Sequence, residues 1–324
     1  MTAVHGGPDA HGAARWDFST NSNACGPCPS ALAALQAADA GRYPDPAYTA
    51  LREAIAAFHS VDKDRIVLAG SASEFIARFT AWVAREGGKR VWLPAMAYGD
   101  YAQAARAWGL QRAPDAAQAD LAWLCEPSSP LGEPEPFASY VVARSARVVL
   151  DLAYEPLRLS GRCSLGPEAR DAVWQLWSPN KALGLTGVRG AYAIAPAQAG
   201  ADVRALDDLA PSWVLGAHAV SMLSAWVSPD AQAWLAGSLS RLSDWRVSLR
   251  ERLADCGWIG LPGDANFFCA APPRPLDAVA LRAAGIKLRD TTSMGLPGHW
   301  RLGVLPPVAQ EALHAALRRQ EVLA

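Results

Sequence analysis

The sequence predicts an α/β fold: a sheet covered by helices on both faces, followed by a smaller α+β lobe. Three observations lead there. From about residue 50 to 215, helical patterns alternate with short apolar runs, as they do when helices are layered on a sheet. After residue 215 the pattern changes to a long helical region and then three short strands. A chain of 324 residues with 51% hydrophobic composition can also build one large core and a second lobe.

In chain order, "SALAALQAADA" (30–40) reads as a helix opened by Pro29 and Ser30, and "DPAYTALREAIAAFHSV" (45–61) as an amphipathic helix ahead of the first strand. "RIVLAG" (65–70), "KRVWLPA" (89–95), "ADLAWLC" (119–125), "ARVVLD" (146–151), "AVWQLWS" (172–178) and "GAYAIA" (190–195) read as the strands of the sheet. Between them, "SEFIARFTAWVAREGG" (73–88) and "YGDYAQAARAWGLQ" (98–111) read as helices stopped by Gly. A long helix over 235–257 then leads to strands in "ANFFCAA" (265–271), "GIKLRD" (285–290) and "HWRLGVL" (299–305). No repeat or low-complexity linker separates the lobes, so they are expected to pack closely.

The formal net charge is −1, from 30 basic and 31 acidic residues. That balance supplies no clustered basic footprint for nucleic acid or an anionic membrane. Apolar runs fall far short of the roughly 20 residues of a membrane span, and no basic-then-apolar leader opens the chain. Six cysteines (25, 28, 125, 163, 256, 269) lack a framework spacing, which fits reduced thiols in a cytoplasmic enzyme. Without a second C-x-x-C or a paired His, no zinc site is expected. Cys25-Gly-Pro-Cys28 has the form of a thiol–disulfide exchange motif, which needs a buried strand before it and a helix start after it. The helix is present, but the preceding 21 residues contain no β-branched run, so a turn with two chance cysteines is the favoured reading.

Ligands of open α/β sheets sit at the carboxyl ends of the strands. After "IVLAG", Ser71-Ala-Ser-Glu74 opens a helix whose unpaired N–H groups suit an anion. "RVVL" ends at Asp151, with Tyr154 three residues on, and "VWQLW" is followed by Ser178-Pro-Asn-Lys181 and then Arg189. Singly, such an Asp reads as a turn cap and such a Lys as a solvated charge. Together they put an amine, a carboxylate, a guanidinium, hydroxyls and a helix N-terminus on one rim. Pyridoxal phosphate needs that set: a Lys for the Schiff base, a carboxylate for the pyridinium nitrogen and donors for the phosphate.

"SPNKALGLTGVRGAY" (178–192) resembles the lysine segment of fold-type I pyridoxal-phosphate aminotransferases, S-x-x-K-x-x-G-L-x-G-x-R-x-G-Y, with Ala191 in place of the last Gly. "RYPDPAYTALREAIAAFHSV" and "KLRDTTSMGLPGHWRLGV" are similar to segments of histidinol-phosphate aminotransferase and threonine-phosphate decarboxylase. "HGG" (5–7), "DFSTNSNACGP" and "GSASE" lean towards the decarboxylase of cobalamin biosynthesis. The resemblance covers nearly the whole chain. It implies a three-layer α/β/α large domain with a mostly parallel mixed sheet over 41–215, a small α+β domain over 216–324, and a segment 1–40 that covers the active site and packs on the small domain.

The resemblance further implies Lys181 as the Schiff-base lysine and proton shuttle, Asp151 facing the ring nitrogen, Tyr154 on the ring's phenolic oxygen and Tyr98 on the ring face. Ala72, Ser73, Ser178 and Arg189 would hold the phosphate. Tyr43 would reach the phosphate of a neighbouring subunit in a homodimer. Arg301 would take the substrate carboxylate, with Asn23 and Arg289 at the substrate's other end. Cys25-Gly-Pro-Cys28 falls on the family's L-G-P turn, which leaves the cysteines incidental. One departure stands out. The family's N-P-N-N-P-T-G is Glu126-Pro-Ser-Ser-Pro-Leu-Gly132 here, so Ser129 replaces the Asn that donates to the ring oxygen. Ala24 also replaces a Pro. The expected reaction is decarboxylation of a phosphorylated small L-amino acid, threonine phosphate. The alternatives are transamination of the histidinol-phosphate type and a weakened relative that binds cofactor without turnover.

Overall fold

The computed structural model describes residues 6–322. Its strands are β1 (Trp16–Asp17), β2 (Ile66–Ala69), β3 (Arg90–Trp92), β4 (Gln111–Arg112), β5 (Leu121–Cys125), β6 (Val148–Asp151), β7 (Trp174–Trp177), β8 (Ala191–Ile194), β9 (Ile259–Gly260), β10 (Phe267–Ala271), β11 (Ile286–Lys287), β12 (Arg289–Asp290) and β13 (Trp300–Gly303). Its α-helices are α1 (Pro29–Gln36), α2 (Thr49–His59), α3 (Ala72–Arg85), α4 (Gly99–Ala107), α5 (Ala138–Arg144), α6 (Pro167–Asp171), α7 (Gly200–Asp208), α8 (Ala217–Trp226), α9 (Pro229–Ala254), α10 (Ala278–Ala283) and α11 (Pro307–Val322). No helix among the described residues is long and apolar enough to cross a membrane.

Seven strands form one sheet in the order β2-β8-β7-β6-β5-β3-β4. It is mixed and mostly parallel, since only β8 runs antiparallel to its neighbours β2 and β7. Alternation along the strands builds the three layers. Ile66, Leu68, Tyr192 and Ile194 point into a core with α1, α2 and α8, while Val67, Ala69, Ala191 and Ala193 point into an opposite core with α3, α4 and α7. The helix expected over 98–111 stops at Ala107, because Gly109 turns with φ +72° and sends Gln111 to the sheet edge as β4. The long helix begins earlier than its apolar pattern suggests: Pro229 starts it and Ser228 Oγ caps it by accepting from Ala231 N–H.

A four-stranded antiparallel sheet, β12-β13-β10-β9, follows. Phe268, Ala270 and Leu302 on one face pack against Leu249 and Leu253 of α9 and Leu313 and Leu317 of α11. β1 pairs with β11 in parallel, so the start of the chain lies against its last third. α8 shares a core with Leu68 and Tyr192 of the large sheet.

Residues 23–28 are bonded to the Lys181 loop. Asn23 N–H donates to Lys181 O (2.9 Å), Asn23 Nδ2 to Ala182 O (3.0 Å) and Cys28 N–H to Leu183 O (2.8 Å). The approach is so close that a Cβ on Gly184, where φ is +69°, would lie 2.4 Å from Gly26 O. Behind β8, Trp226 Nε1 donates to Tyr192 Oη (3.0 Å), and His59 Nε2 lies 2.7 Å from the same hydroxyl. Burial lowers the His59 pKa to about 4, with the Arg170 charge adding to the effect.

Two predictions follow from this packing. Gly184→Ala should lower the unfolding free energy by about 2 kcal/mol or more, whereas Gly237→Ala, on the open face of α9, should raise it by roughly 0.5–1 kcal/mol; denaturant titration compares them. Below about pH 6.5 an unfolded His59 binds a proton that the folded state refuses until about pH 4, so stability should fall through that window as pH falls. His59→Gln should flatten this slope in melting curves taken from pH 7 to 4.

Candidate active site

β2, β5, β6 and β7 end on one rim, where the turn entering β8 also begins. A cavity of about 150 Å³ opens there. Its walls bring together Ala72, Ser73, Tyr98, Ser129, Asp151, Tyr154, Ser178, Lys181 and Arg189, all singled out above. They also include Ser71, from the stretch read as an anion-binding helix start, and Cys125, Ala153, Asn180 and Gly190, to which sequence reasoning assigned no role in the site.

Asp151 ends β6 and is almost wholly buried. Tyr101 Oη donates to its Oδ2 (2.7 Å) and Ala153 N–H to its Oδ1 (3.0 Å). Burial raises its pKa, opposed by the Tyr101 hydrogen bond and the Lys181 charge. A carboxylate desolvated in this way is stabilised by a cationic donor on its open side. Tyr101 stacks on Trp123 with centroids 4.9 Å apart. Its only sequence signal is its place three residues after Tyr98 on α4, which turns both towards one side. Beside them, the Cys125 thiol is pushed well up by burial and by the Asp151 charge.

Lys181 Nζ donates to Ser178 Oγ (3.4 Å) and lies 5.3 Å from the Tyr154 ring centroid. Among the described residues, no carboxylate pairs with it at salt-bridge distance. The α3 side of the cavity suits an anion. Ser71 Oγ caps α3 by accepting from Glu74 N–H, and Glu74 reaches back to Gly70 N–H, which leaves the first turn of α3 facing the cavity near Ser178 and Arg189. Tyr98 Oη lies 3.4 Å from Ser73 Oγ, and burial raises its pKa.

Arg289 and Arg301 face each other across β12 and β13, both nearly buried. Arg301 Nη1 donates to Ser129 Oγ (3.2 Å) and Nη2 to Ser19 O (3.2 Å). Burial, then the Arg301 charge, lowers the Arg289 pKa. Such adjacent cations favour an anion between them. Glu126, also in the altered loop, is wholly buried and accepts from Ser164 N–H, Ser164 Oγ and Arg158 Nη2. Arg158 additionally pairs with Glu155 and Asp264.

Asn23, Tyr43, Arg289 and Arg301 are not on the cavity wall, although Arg301 is bonded to it through Ser129. Asn23 donates to Ala182 O and Ser238 Oγ and accepts from Cys25 N–H, so its amide is used in holding the chain rather than in facing a substrate. Tyr43 is 78% exposed and stacks on Trp213, centroids 4.4 Å apart. Among the described residues no group of His, Cys, Asp and Glu is placed to hold a metal ion. Cys25 and Cys28 are both free thiols. Burial raises the Cys25 pKa, the opposite of what an exchange thiol requires. Replacing both with Ser should therefore leave cofactor binding and turnover within about threefold; loss by orders of magnitude would restore a redox role.

The chain matches the family Aminotransferase class I and II over residues 16–123 and 110–319. A histidinol-phosphate aminotransferase of Ruegeria pomeroyi is 30% identical over 93% of this chain and 90% of that protein. Another, from Thiobacillus denitrificans, is 30% identical over 89% and 80%. Among solved structures, the histidinol-phosphate aminotransferase of Sinorhizobium meliloti in complex with pyridoxal-5'-phosphate superposes with a TM-score of 0.77 at 22% identity, over 94% of this chain and 90% of that one. The L-threonine-O-3-phosphate decarboxylase of Porphyromonas gingivalis gives 0.75 at 18% identity, over 94% and 99%. This chain belongs to the aminotransferase class I and II family.

Proposed function

We propose that this enzyme uses pyridoxal 5'-phosphate to transaminate a small phosphorylated amino compound of the histidinol-phosphate type. The observation that carries this reading is the closure of Lys181, Asp151 and the α3 N-terminus on one cavity, with Arg301 bonded to its wall through Ser129. The names of the curated relatives favour transamination over the decarboxylation expected from the N-terminal segments. Likeness to the decarboxylase at 18% identity supports only the fold, and His5 of "HGG" lies outside the described residues.

The residues present fit the cofactor. The cavity offers one amine, one buried carboxylate and one anion-binding helix start, and the buried Asn180 Oδ1 on its wall has no hydrogen-bond partner among the described residues. When bound, pyridoxal phosphate supplies an aldehyde for primary amines and a ring that takes up electrons released at the substrate's Cα. Lys181 Nζ would provide the anchoring amine and would carry the Cα proton. Asp151, fixed by Tyr101 and Ala153, holds a proton at the ring nitrogen. Tyr98 would cover the ring face, and Tyr154 would donate to the phenolic oxygen. Ser129 accepts from Arg301 and keeps its own O–H, which can donate to the ring oxygen as the family's Asn does.

Arg301 is assigned the carboxylate of an acidic amino donor or keto-acid acceptor, and Arg289 the phosphate. Asn23 acts as a clamp on the lysine loop. We place residues 1–40 as the cover, 41–215 as the cofactor-holding domain and 216–324 as the smaller one, with Tyr43 serving the cavity of a second copy.

Incubation with histidinol phosphate and 2-oxoglutarate should form glutamate, with borohydride fixing the cofactor on Lys181. Arg301→Ala should cost about 2–5 kcal/mol in kcat/KM for 2-oxoglutarate. Arg289→Ala should harm phosphorylated substrates alone. Carbon dioxide from threonine phosphate, without glutamate formation, would return the reading to decarboxylation.

A further inference from the structure

Phe267 stands between the two halves of the site. It opens β10, is wholly buried, and meets Tyr154 edge-on, with centroids 4.7 Å apart at 65°. The Arg301 guanidinium carbon lies over the same ring, 5.5 Å from its centroid. Tyr154 in turn lies 5.3 Å from Lys181 Nζ. Lys181, Tyr154, Phe267 and Arg301 thus form one unbroken column of cation, ring, ring and cation.

The surrounding backbone keeps that column in register. Phe267 faces Gly303 and Cys269 faces Arg301 between β10 and β13, so Phe267 and Arg301 are diagonal neighbours on one face. Glycines leave the ring its space: a Cβ on Gly132, where φ is +80°, would lie 3.4 Å from Phe267 Cε2 and 3.2 Å from Phe267 O. Asn266 N–H donates to Leu157 O (3.1 Å), and Arg158 pairs with Asp264, which locks the entry of β10 to the Tyr154 turn. A ring attracts a guanidinium to its face and another ring to its edge or face, whereas an aliphatic side chain fills volume without orienting either neighbour.

We infer that Phe267 is a positioning residue. It aims the Arg301 guanidinium at an incoming carboxylate and holds Tyr154 beside the Lys181 amine, so that the two ends of the site keep one geometry. The inference rests on the reading of Arg301 as the carboxylate residue.

Holoenzymes carrying Phe267→Leu, Phe267→Met and Phe267→Tyr test it, with Arg301→Lys as reference. One measurement is the dissociation constant of maleate, an unreactive dicarboxylate. The other, made without any carboxylate, is the midpoint pH of the bound cofactor's absorbance change. Leu and Met should weaken maleate binding about tenfold. They should also raise the midpoint by about half a unit or more, because a loosened Tyr154 hydroxyl withdraws less electron density from the phenolic oxygen. Phe267→Tyr, which keeps the ring, should preserve both. Unchanged values in either aliphatic variant overturn the inference, as does a Tyr variant as impaired as Leu. If neither aliphatic variant accumulates folded protein, Phe267 is a core residue and the inference also fails. An Arg301→Lys enzyme that binds maleate as tightly as the original refutes the carboxylate reading instead, and the midpoint pH then decides on Phe267.

Discussion

The cavity depends on the pairing between the backbone of residues 23–28 and that of residues 181–183. Lys181 sits in a loop between β7 and β8, and a loop alone would leave its amine free to sample many positions. Three hydrogen bonds and the contact between Gly26 and Gly184 remove that freedom. The same pairing satisfies the carbonyls of residues 181–183, which the closed packing would otherwise leave without water. Order at the amine, and so at Ser178 and Tyr154 beside it, comes from a segment more than 150 residues away in the chain.

Charge is handled differently on the two sides of the cavity. Glu126 has internal partners: Arg158 ties it to Glu155 and Asp264, and Ser164 completes its shell. Removing one member of such a buried group leaves an uncompensated charge, so the group acts as a strut. Around Asp151 and Lys181, charges face space that a ligand can occupy, and the Arg289–Arg301 pair is joined to that cavity's wall through Ser129. The substituted loop from Glu126 to Gly132 spans both regimes, with Glu126 in the strut and Ser129 on the cavity wall. Its departure from the family's pattern therefore has two separate physical meanings.

The large sheet could be read because β2, β5 and β6 are buried on both faces and appear as uninterrupted apolar runs. β1, β4 and β9 are two-residue strands without such a run, and only their partners reveal them, while the single strand expected in "GIKLRD" divides into β11, beside β1, and β12, beside β13. In the site, Ser178, Lys181 and Arg189 were legible because one stretch of chain carries them at fixed spacing. Tyr101, Asn180 and Cys125 were not: they matter through what lies opposite them, Asp151 above all, and a single sequence does not record who faces whom. Asn23 shows the same limit, since its place beside a recognisable turn does not tell that its amide donates to Ala182 O and Ser238 Oγ.

The pairing of β1 with β11, together with that of residues 23–28 with 181–183, also sets an order in time. Ribosomal synthesis releases the N-terminal segment first, yet one of its docking sites is made only past the middle of the chain and the other near the end. Such widely separated partners close slowly, at the entropic cost of a very long loop. The N-terminal segment therefore emerges first but cannot dock fully until those partners have been made. Commitment of the site thus waits for nearly the whole polypeptide.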